Sequence, residues 1–528
     1  MKLRLFLAAI TIGSFTSSVN ATTYAVKAGG GGNFTTIQAC ATAMAAGDTC
    51  TVFAGTYNEN VTVTAGTAGN YKTVSVNTGD TVNVRSFTLN SHTKAIGFTI
   101  TNPSSPSSAA CVAMANLATD IYVTNNTMTQ CGNGSTMISE PLSTTGVSFI
   151  YFQGNTLSWG CSTPSAPNVC EGWLLDGNHQ LLENNDISHV SDGVTLYGSF
   201  VVFRNNTMHD TGPADCGSHS SNCHIDFVES EPTSVTPPAH DNLYEGNYQT
   251  NNAGSNAHVF LTQADVCVGT CSHVIIRYNH ASMLGTYWLL DQLGNFSHVK
   301  DYNNTIVCGL DGASCGVSSV DQNVTSFSGS TNGAEVNNIY YNSTPSIGSG
   351  LYYPGAAPFR ANNNLAFCSA VCAFIGSFTA EVGRIVGLDP KFVNPASDWH
   401  LQSGSPAIAA GASLTTAANS GANSPSLTVA DSDYFQDGLG LTANGVQADW
   451  IRIGASTTVQ VSSINYSTNV ITLASPVSWN SGDPVYLYRN SAGNQVLFGA
   501  KPDVGAFPFG STQSQGPTPP SNLLAIVQ

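Results

Sequence analysis

Charge is scarce in this chain. Charged residues make up 9% of its 528 positions, and Lys plus Arg number 15 against 32 Asp plus Glu, a formal net charge of −17. So little positive charge excludes a nucleic-acid-binding surface and attachment to an anionic membrane, since both need basic patches. It also disfavours a polyanionic substrate unless a divalent cation mediates. Long apolar runs are missing too. The stretch from Leu5 to Ile12 in "MKLRLFLAAITIGSFTSSVNA" is too short to span a bilayer. With Lys2 and Arg4 before it and Val19-Asn20-Ala21 after it, residues 1–21 read as a secretory signal peptide. No other stretch is long and apolar enough to span. The expectation is an exported, soluble, monomeric protein, extracellular or periplasmic, with no membrane span.

Helical periodicity is the third thing lacking. Glycine (51 residues) and abundant Asn, Ser and Thr point instead to short strands joined by tight turns. The 14 cysteines fall into close sequential pairs, 40/50, 111/131, 161/170, 216/223, 267/271, 308/315 and 368/372. Behind a signal peptide such spacing reads as up to seven disulfides, each closing a short loop. Zinc binding is the weaker alternative, because no CxxC spacing repeats.

What is present is a repeat. An apolar-x-polar-x-Asn phrase recurs as "YVTNNTM", "YFQGNTL", "LLENNDI", "VFRNNTM", "LYEGNYQ", "IIRYNHA" and "VKDYNNTI". Its Asn falls at 126, 155, 185, 206, 247, 279 and 303 or 304, with a shortest gap of 21 residues. Three short strands and three turns fit that length. An Asn at one corner would stack on its counterparts in neighbouring coils, which is the arrangement of a parallel β-helix. Two residues before each Asn stand Thr124, Gln153, Glu183, Arg204, Glu245, Arg277 and, if Asn303 is the ladder residue, Asp301. Their alternating sign suits coil-to-coil pairing, so this column is taken as structural.

A second phrase lies upstream of each Asn: "WLLDG", "VTLYG", "DFVES", "VFLTQ", "WLLDQ", "SSVDQ". Aligned, the third residues form an aliphatic column (Leu175, Leu196, Val228, Leu261, Leu290, Val320) that alternation places inside. The fourth residues, Asp176, Tyr197, Glu229, Thr262, Asp291 and Asp321, then face outward, as do the second residues, among them Phe227 and Phe260. A solvated strand edge would explain the carboxylates; exposed aromatic residues beside them fit a partner surface better.

Residues 22–60 read as a start cap, with an amphipathic helix presenting Ile37, Cys40, Ala41 and Met44 on one face. Residues 411–499 break the repeat with an antiparallel pattern, an accessory β unit inserted before a closing strand at about 500–510, and 511–528 read as a flexible Pro/Ser/Gln-rich tail. The cap, the Asn phrase and the closing "DPKFVNPASDWHLQSGSPAIAAG" and "KPDVGAFPF" resemble the secreted right-handed parallel β-helix proteins of the pectin-lyase-like superfamily. The resemblance covers about 22–410 and 500–510. It implies an all-β fold: a right-handed parallel β-helix with an N-terminal capping helix and a small inserted β domain near the C-terminus. It does not fix an activity, because that superfamily includes lyases, hydrolases, methylesterases, epimerases and adhesins.

No subfamily motif carries over. The Asn-Thr-Asp, Asp-Asp and Gly-His-Gly phrases of polygalacturonase-type hydrolases are absent, and "IDFVES" shares only its Asp-Phe with the methylesterases. The stretch "SSNCHIDFVESEP" nonetheless gathers His224, Asp226 and Glu229 beside the longest excursion of the repeat, 41 residues from Asn206 to Asn247, which also holds His240. Long braced loops beside a strand make cleft walls. The acid/base pair is expected at Glu229 and Asp291, supported by Asp226 and Asp176. Substrate contacts are expected at Tyr197, Phe227, Phe260, His224, His240 and Asp321. The leading expectation is a polysaccharide-cleaving glycoside hydrolase. A calcium-dependent uronate lyase using Lys300, Arg277 or a His as base, and a non-catalytic glycan-binding surface protein, are the alternatives. Calcium is the one cofactor considered, and no metal ligand set is assigned.

Overall fold

The computed structural model describes residues 21–101, 110–131, 136–141, 146–159, 171–212, 215, 225–230, 239–262, 271–291, 297–308, 317–318, 332–342, 351–352, 359–368, 374–375 and 381–512; for 251–262, 283–291, 308, 317–318, 351–352, 359 and 374–375 only the backbone is described. The segments expected to be a signal peptide and a flexible tail lie outside these residues, apart from 21 and 511–512.

One coil shows how the sequence folds. Asn178–Glu183 forms a strand on the first face, Asp186–Ser188 one on the second, and Val194–Leu196 one on the third. Each pairs in parallel with its counterpart one coil away: Glu183 with Arg204, Ile187 with Met208, Leu174 with Thr195. Among the described residues the first face is a ladder of thirteen strands from Thr23–Val26 to Phe359–Asn362. The second and third faces merge into one sheet because the long strands Tyr248–Thr262 and His280–Asp291 run round the corner between them. The chain is therefore a parallel β-helix, with its core inside the coils.

The corner between first and second faces carries the asparagine ladder. The Oδ1 of Asn206 accepts both the backbone N–H of Asn185 (3.0 Å) and its Nδ2 (2.9 Å), while Nδ2 of Asn206 donates to Leu182 O (2.9 Å). The same pattern runs through Asn126, Asn155, Asn247, Asn279 and Asn304, and Asn338 and Asn364 carry its backbone link further. The residue before the ladder Asn turns the corner in the left-handed conformation, for instance Asn184 at φ 55° and Gly246 at φ 67°. Asn and Gly tolerate that region best, which explains the doubled "NN" and "GN" of the repeat.

At the far N-terminal end, helix α1 (Ile37–Ala43) plugs the first coil with Ile37, Cys40 and Ala41, and Met44 just beyond it is also buried. The Thr36 side chain and the Glu59 carboxylate satisfy its first N–H groups. The Cys40–Cys50 and Cys111–Cys131 disulfides are formed, and Cys271 and Cys368 are also disulfide-bonded. The other five expected pairs lie wholly or partly outside the described residues.

Between Thr415 and Arg489 the chain builds a six-stranded antiparallel sheet. It enters and leaves at one place, where Gly411 N–H bonds Pro502 O (2.9 Å). This unit packs on the outside of the first face, joining Tyr151, Leu181, Val202, Leu243 and Ile275 in one apolar cluster with Leu441, Ile451 and Val485. Buried charges link the two bodies. Arg277 is fully buried, pairs with Glu245 (2.6 Å) and clamps Asp449 through both guanidinium ends (2.7 and 2.8 Å). Arg204 bonds Glu183 (2.8 Å) and Ser491 O (2.9 Å), and Lys300 bonds Asp431 (2.7 Å). The alternating-charge column is thus structural, with one correction. The ladder residue is Asn304, so the column ends on Tyr302, which pairs with Arg277. Asp301 lies one step off, wholly buried, and burial pushes its carboxyl up to about 8.

Arg277→Ala would leave Glu245 and Asp449 buried without their counter-charge. The expected loss is about 3–5 kcal/mol of unfolding free energy, read by chemical denaturation. A loss under about 1 kcal/mol would show that the clamp contributes little.

Candidate functional site

The third face reads differently in the structure than in the phrase alignment. Val194 pairs with Val228, Thr195 with Glu229, Val228 with Phe260, and Leu261 with Asp291. The aligned phrases had set Leu196 against Val228 and Val228 against Leu261. Leu175, Leu196 and Val228 are buried as expected, but Leu261 falls in line with Glu229 instead. A one-residue slip exchanges the two faces of a strand, and Val228 pairs with Phe260 in a register that carries no bulge, the irregularities at Gln249/Asn252 and Gly254/Ala257 lying in the next pairing, with His280–Asp291. The true column is Leu174, Thr195, Glu229, Leu261, Asp291.

Several expected outward residues are not open. Asp176 is buried at the corner leading to the first face, where its N–H donates to Glu140 Oε2 (2.9 Å). That same oxygen accepts from Gly177 N (2.8 Å) and Gln180 Nε2 (2.9 Å), and burial pushes Glu140 up to about 7. Asp176 stands two coils and two residues from Glu229, roughly 12 Å by strand spacings, so it does not join it. Tyr197 is buried, which removes the open ring expected there. Phe227 is buried too: the strand Ile225–Ser230 bends so that both Phe227 and Val228 enter the core, and Phe227 meets Phe203 edge-on at 5.0 Å. Gly193 makes the room, since a Cβ there would stand 2.6 Å from Phe227 O. His240 belongs to the first face, half exposed, bonded to Asp241 (2.6 Å) and edge-on to Phe200 (4.9 Å). His224 and Asp321 lie outside the described residues. Phe260 and Asp291 are placed by backbone register only.

Asp226 and Glu229 do come together, with a third carboxylate the sequence reading missed. Asp192, Asp226 and Glu229 each offer a ligand oxygen within 4.8 Å of the others. Asp192 occupies the position one coil below Asp226, and the Asp226 N–H donates to Asp192 Oδ1 (3.3 Å). Asp192 and Asp226 are buried while Glu229 is partly exposed. Burial, and then the charges of Asp226, Glu229 and Glu171, push Asp192 well above the usual carboxylate range. This is the physics of crowded carboxyls: like charges at this distance do not all ionise, so the cluster holds a proton or a cation. Three carboxylates suit a hard divalent cation such as calcium, which takes six to eight oxygens. Asp192 was legible only by extending the "VTLYG" phrase two residues upstream into "DGVTLYG".

The bases considered for elimination are elsewhere. Arg277 and Lys300 lie on the first face, buried under the accessory sheet in the ion pairs described above.

No protein-family model matches the chain, and no curated protein does. Solved structures similar to it include a complex of XylC with xylose (11% identity, TM-score 0.42, 88% of this chain and 100% of that one). Pectate lyase Pel9A is similar at 14% identity and TM-score 0.38, over 74% of this chain and 92% of that one. PfbA, a surface adhesin of Streptococcus pneumoniae, is similar at 10% identity and TM-score 0.40, over 66% and 86%. At such values these likenesses argue for no activity; the parallel β-helix rests on this chain's own strand registers.

Proposed function

We propose that the chain is an exported carbohydrate-active enzyme that cleaves glycosidic bonds at the third face, with Glu229 as the acid that meets the substrate. One observation carries this reading: three carboxylates converge within 4.8 Å and only Glu229 is open. Asp192 and Asp226 sit behind it, and the raised Asp192 holds a proton in the cluster, which a general acid at neutral pH requires. Asp291, two coils along in the same register, is the partner base. That separation is about 10 Å between backbones, close to the range of about 6.5–9.5 Å between carboxyls that suits inversion through a water. The disulfides fit an oxidising compartment.

A second reading is favoured by the same triad. Asp192, Asp226 and Glu229 would hold calcium, which when bound would neutralise the carboxylate of a uronate. Elimination would then need a base other than Arg277 and Lys300.

Glu229→Gln is expected to cut reducing-sugar release from polysaccharides by about 10²-fold or more without lowering the melting temperature. Undiminished release would remove Glu229 from the mechanism. Ultraviolet absorbance of unsaturated uronate product, abolished by EDTA, would replace hydrolysis with the second reading.

The raised Asp192 also fixes a sign. An acid whose folded pKa exceeds its unfolded value binds more protons when folded. Stability is therefore lost as pH climbs from about 4 through the raised value. Asp192→Asn should remove that loss and raise the melting temperature at neutral pH. Unchanged melting across the pH series would show that Asp192 carries no such strain.

A further inference from the structure

Four residues after the ladder asparagines, the chain turns from the second face towards the third. Gln130, Trp159, His189 and Asp210 occupy this corner in successive coils, all left-handed, with φ between 53° and 54°. Backbone bonds fix their stacking: Gln130 N–H to Trp159 O (2.9 Å) and Trp159 N–H to Ser188 O (3.3 Å). The indole of Trp159 lies flat on the His189 imidazole, centroids 3.9 Å apart and planes within 12°. Trp159 remains 46% exposed, although it is among the largest apolar side chains. His189 is held from the side by Asp215 (3.6 Å) and stands three residues before Asp192, one of the two buried members of the carboxylate cluster.

The opposite corner makes a useful contrast. There Phe149, His179 and Phe200 also stack coil upon coil, at 4.9 and 4.6 Å. That stack is partly buried against the accessory unit, and Gly440 of that unit lies so close to His179 that a Cβ would stand 2.6 Å from the imidazole. It is used up in packing. The Trp159–His189 stack, by contrast, keeps the indole exposed.

We propose that Trp159, backed by His189, is a stacking subsite for a neutral pyranose ring of the substrate chain, at the corner from which the chain runs on into the third face that carries Asp192, Asp226 and Glu229. A flat, rigid, half-exposed indole matches the C–H face of a pyranose and gains contact at small cost in side-chain freedom. The surroundings choose the class of sugar. Asp186 and Asp210 flank His209 at 2.8 Å each, Asp215 adjoins His189, and the carboxylate cluster lies beyond. Two imidazoles, His189 and His209, among so many carboxylates leave the wall acidic on balance. A uronate ring would be repelled there, whereas an uncharged ring offers hydroxyls to carboxylate acceptors. This inference deepens the proposed function, and rests on that reading for its account of why a glycan binds here.

Calorimetric titration tests it, using β-1,4-linked hexaoses of xylose, mannose and glucose, and polygalacturonate with and without calcium. The full chain should bind at least one neutral hexaose more tightly than polygalacturonate. Trp159→Ala should weaken that binding roughly tenfold, the scale of one lost ring stack, and Trp159→Phe should restore most of it. In turnover the Trp159→Ala loss should fall on KM and leave kcat within about twofold. Equal affinity in Trp159→Ala, preference for polygalacturonate, or no binding of any neutral hexaose would overturn the subsite. Binding that survives in Glu229→Gln supports it whatever becomes of cleavage. A wild-type chain that binds neutral hexaoses through Trp159 yet cleaves nothing would defeat the proposed function and leave the subsite standing.

Discussion

Everything in this molecule depends on amide-to-amide stacking at one corner. Each ladder asparagine spends its oxygen on the coil before and its NH₂ on a carbonyl of that same coil, so consecutive turns are locked at one register. A single buried hydrogen bond contributes only about 0.5–1.5 kcal/mol net. The force of the ladder lies in what it forbids: a slipped coil would strand buried amide groups, at about 1–3 kcal/mol each. Register in turn decides which side chains share a column, and the carboxylate cluster is a consequence of it.

The accessory sheet uses the first face in a complementary way. Its apolar inner surface covers Tyr151, Leu181, Val202, Leu243 and Ile275, and its Asp449 and Asp431 meet Arg277 and Lys300. These cations are thereby spent on cohesion. The third face keeps its carboxylates without a nearby lysine or arginine from that column, which tilts its chemistry towards proton transfer or cation binding and away from anion capture.

Much of the fold was legible because the repeat writes it in single letters. The Asn phrase marks one corner of each coil, and left-handed geometry explains the Asn or Gly that most often precedes it. Where two asparagines stood together, as at 303 and 304, the letters did not say which one laddered, and the choice moved Asp301 from an outer column to the interior. The third face was harder. Its phrases share composition but not register: Val228 pairs with Val194, two residues before the aligned Leu196, and with Phe260, one before the aligned Leu261. Asp226 and Glu229 survived that error because they sit on one short strand. Asp176 did not, since a corner separates it in space from its neighbours in the alignment, and His240, expected from the loop excursion, begins a first-face strand instead. Asp192 and Trp159 were missed for a related reason: both stand at corners outside the aligned phrases, although Trp159 is always four letters after its asparagine.

The chain enters and leaves the accessory sheet through one hydrogen-bonded doorway, where Gly411 meets Pro502, Ala409 meets Asp503 and Ala407 meets Val504. A segment grafted at such a point disturbs no coil of the host, so its arrival need not have threatened folding. Its departure is another matter. With leucine, valine and tyrosine lining the first face beneath it, the solenoid has no option of facing water there, which makes the inserted unit an obligatory part of the fold.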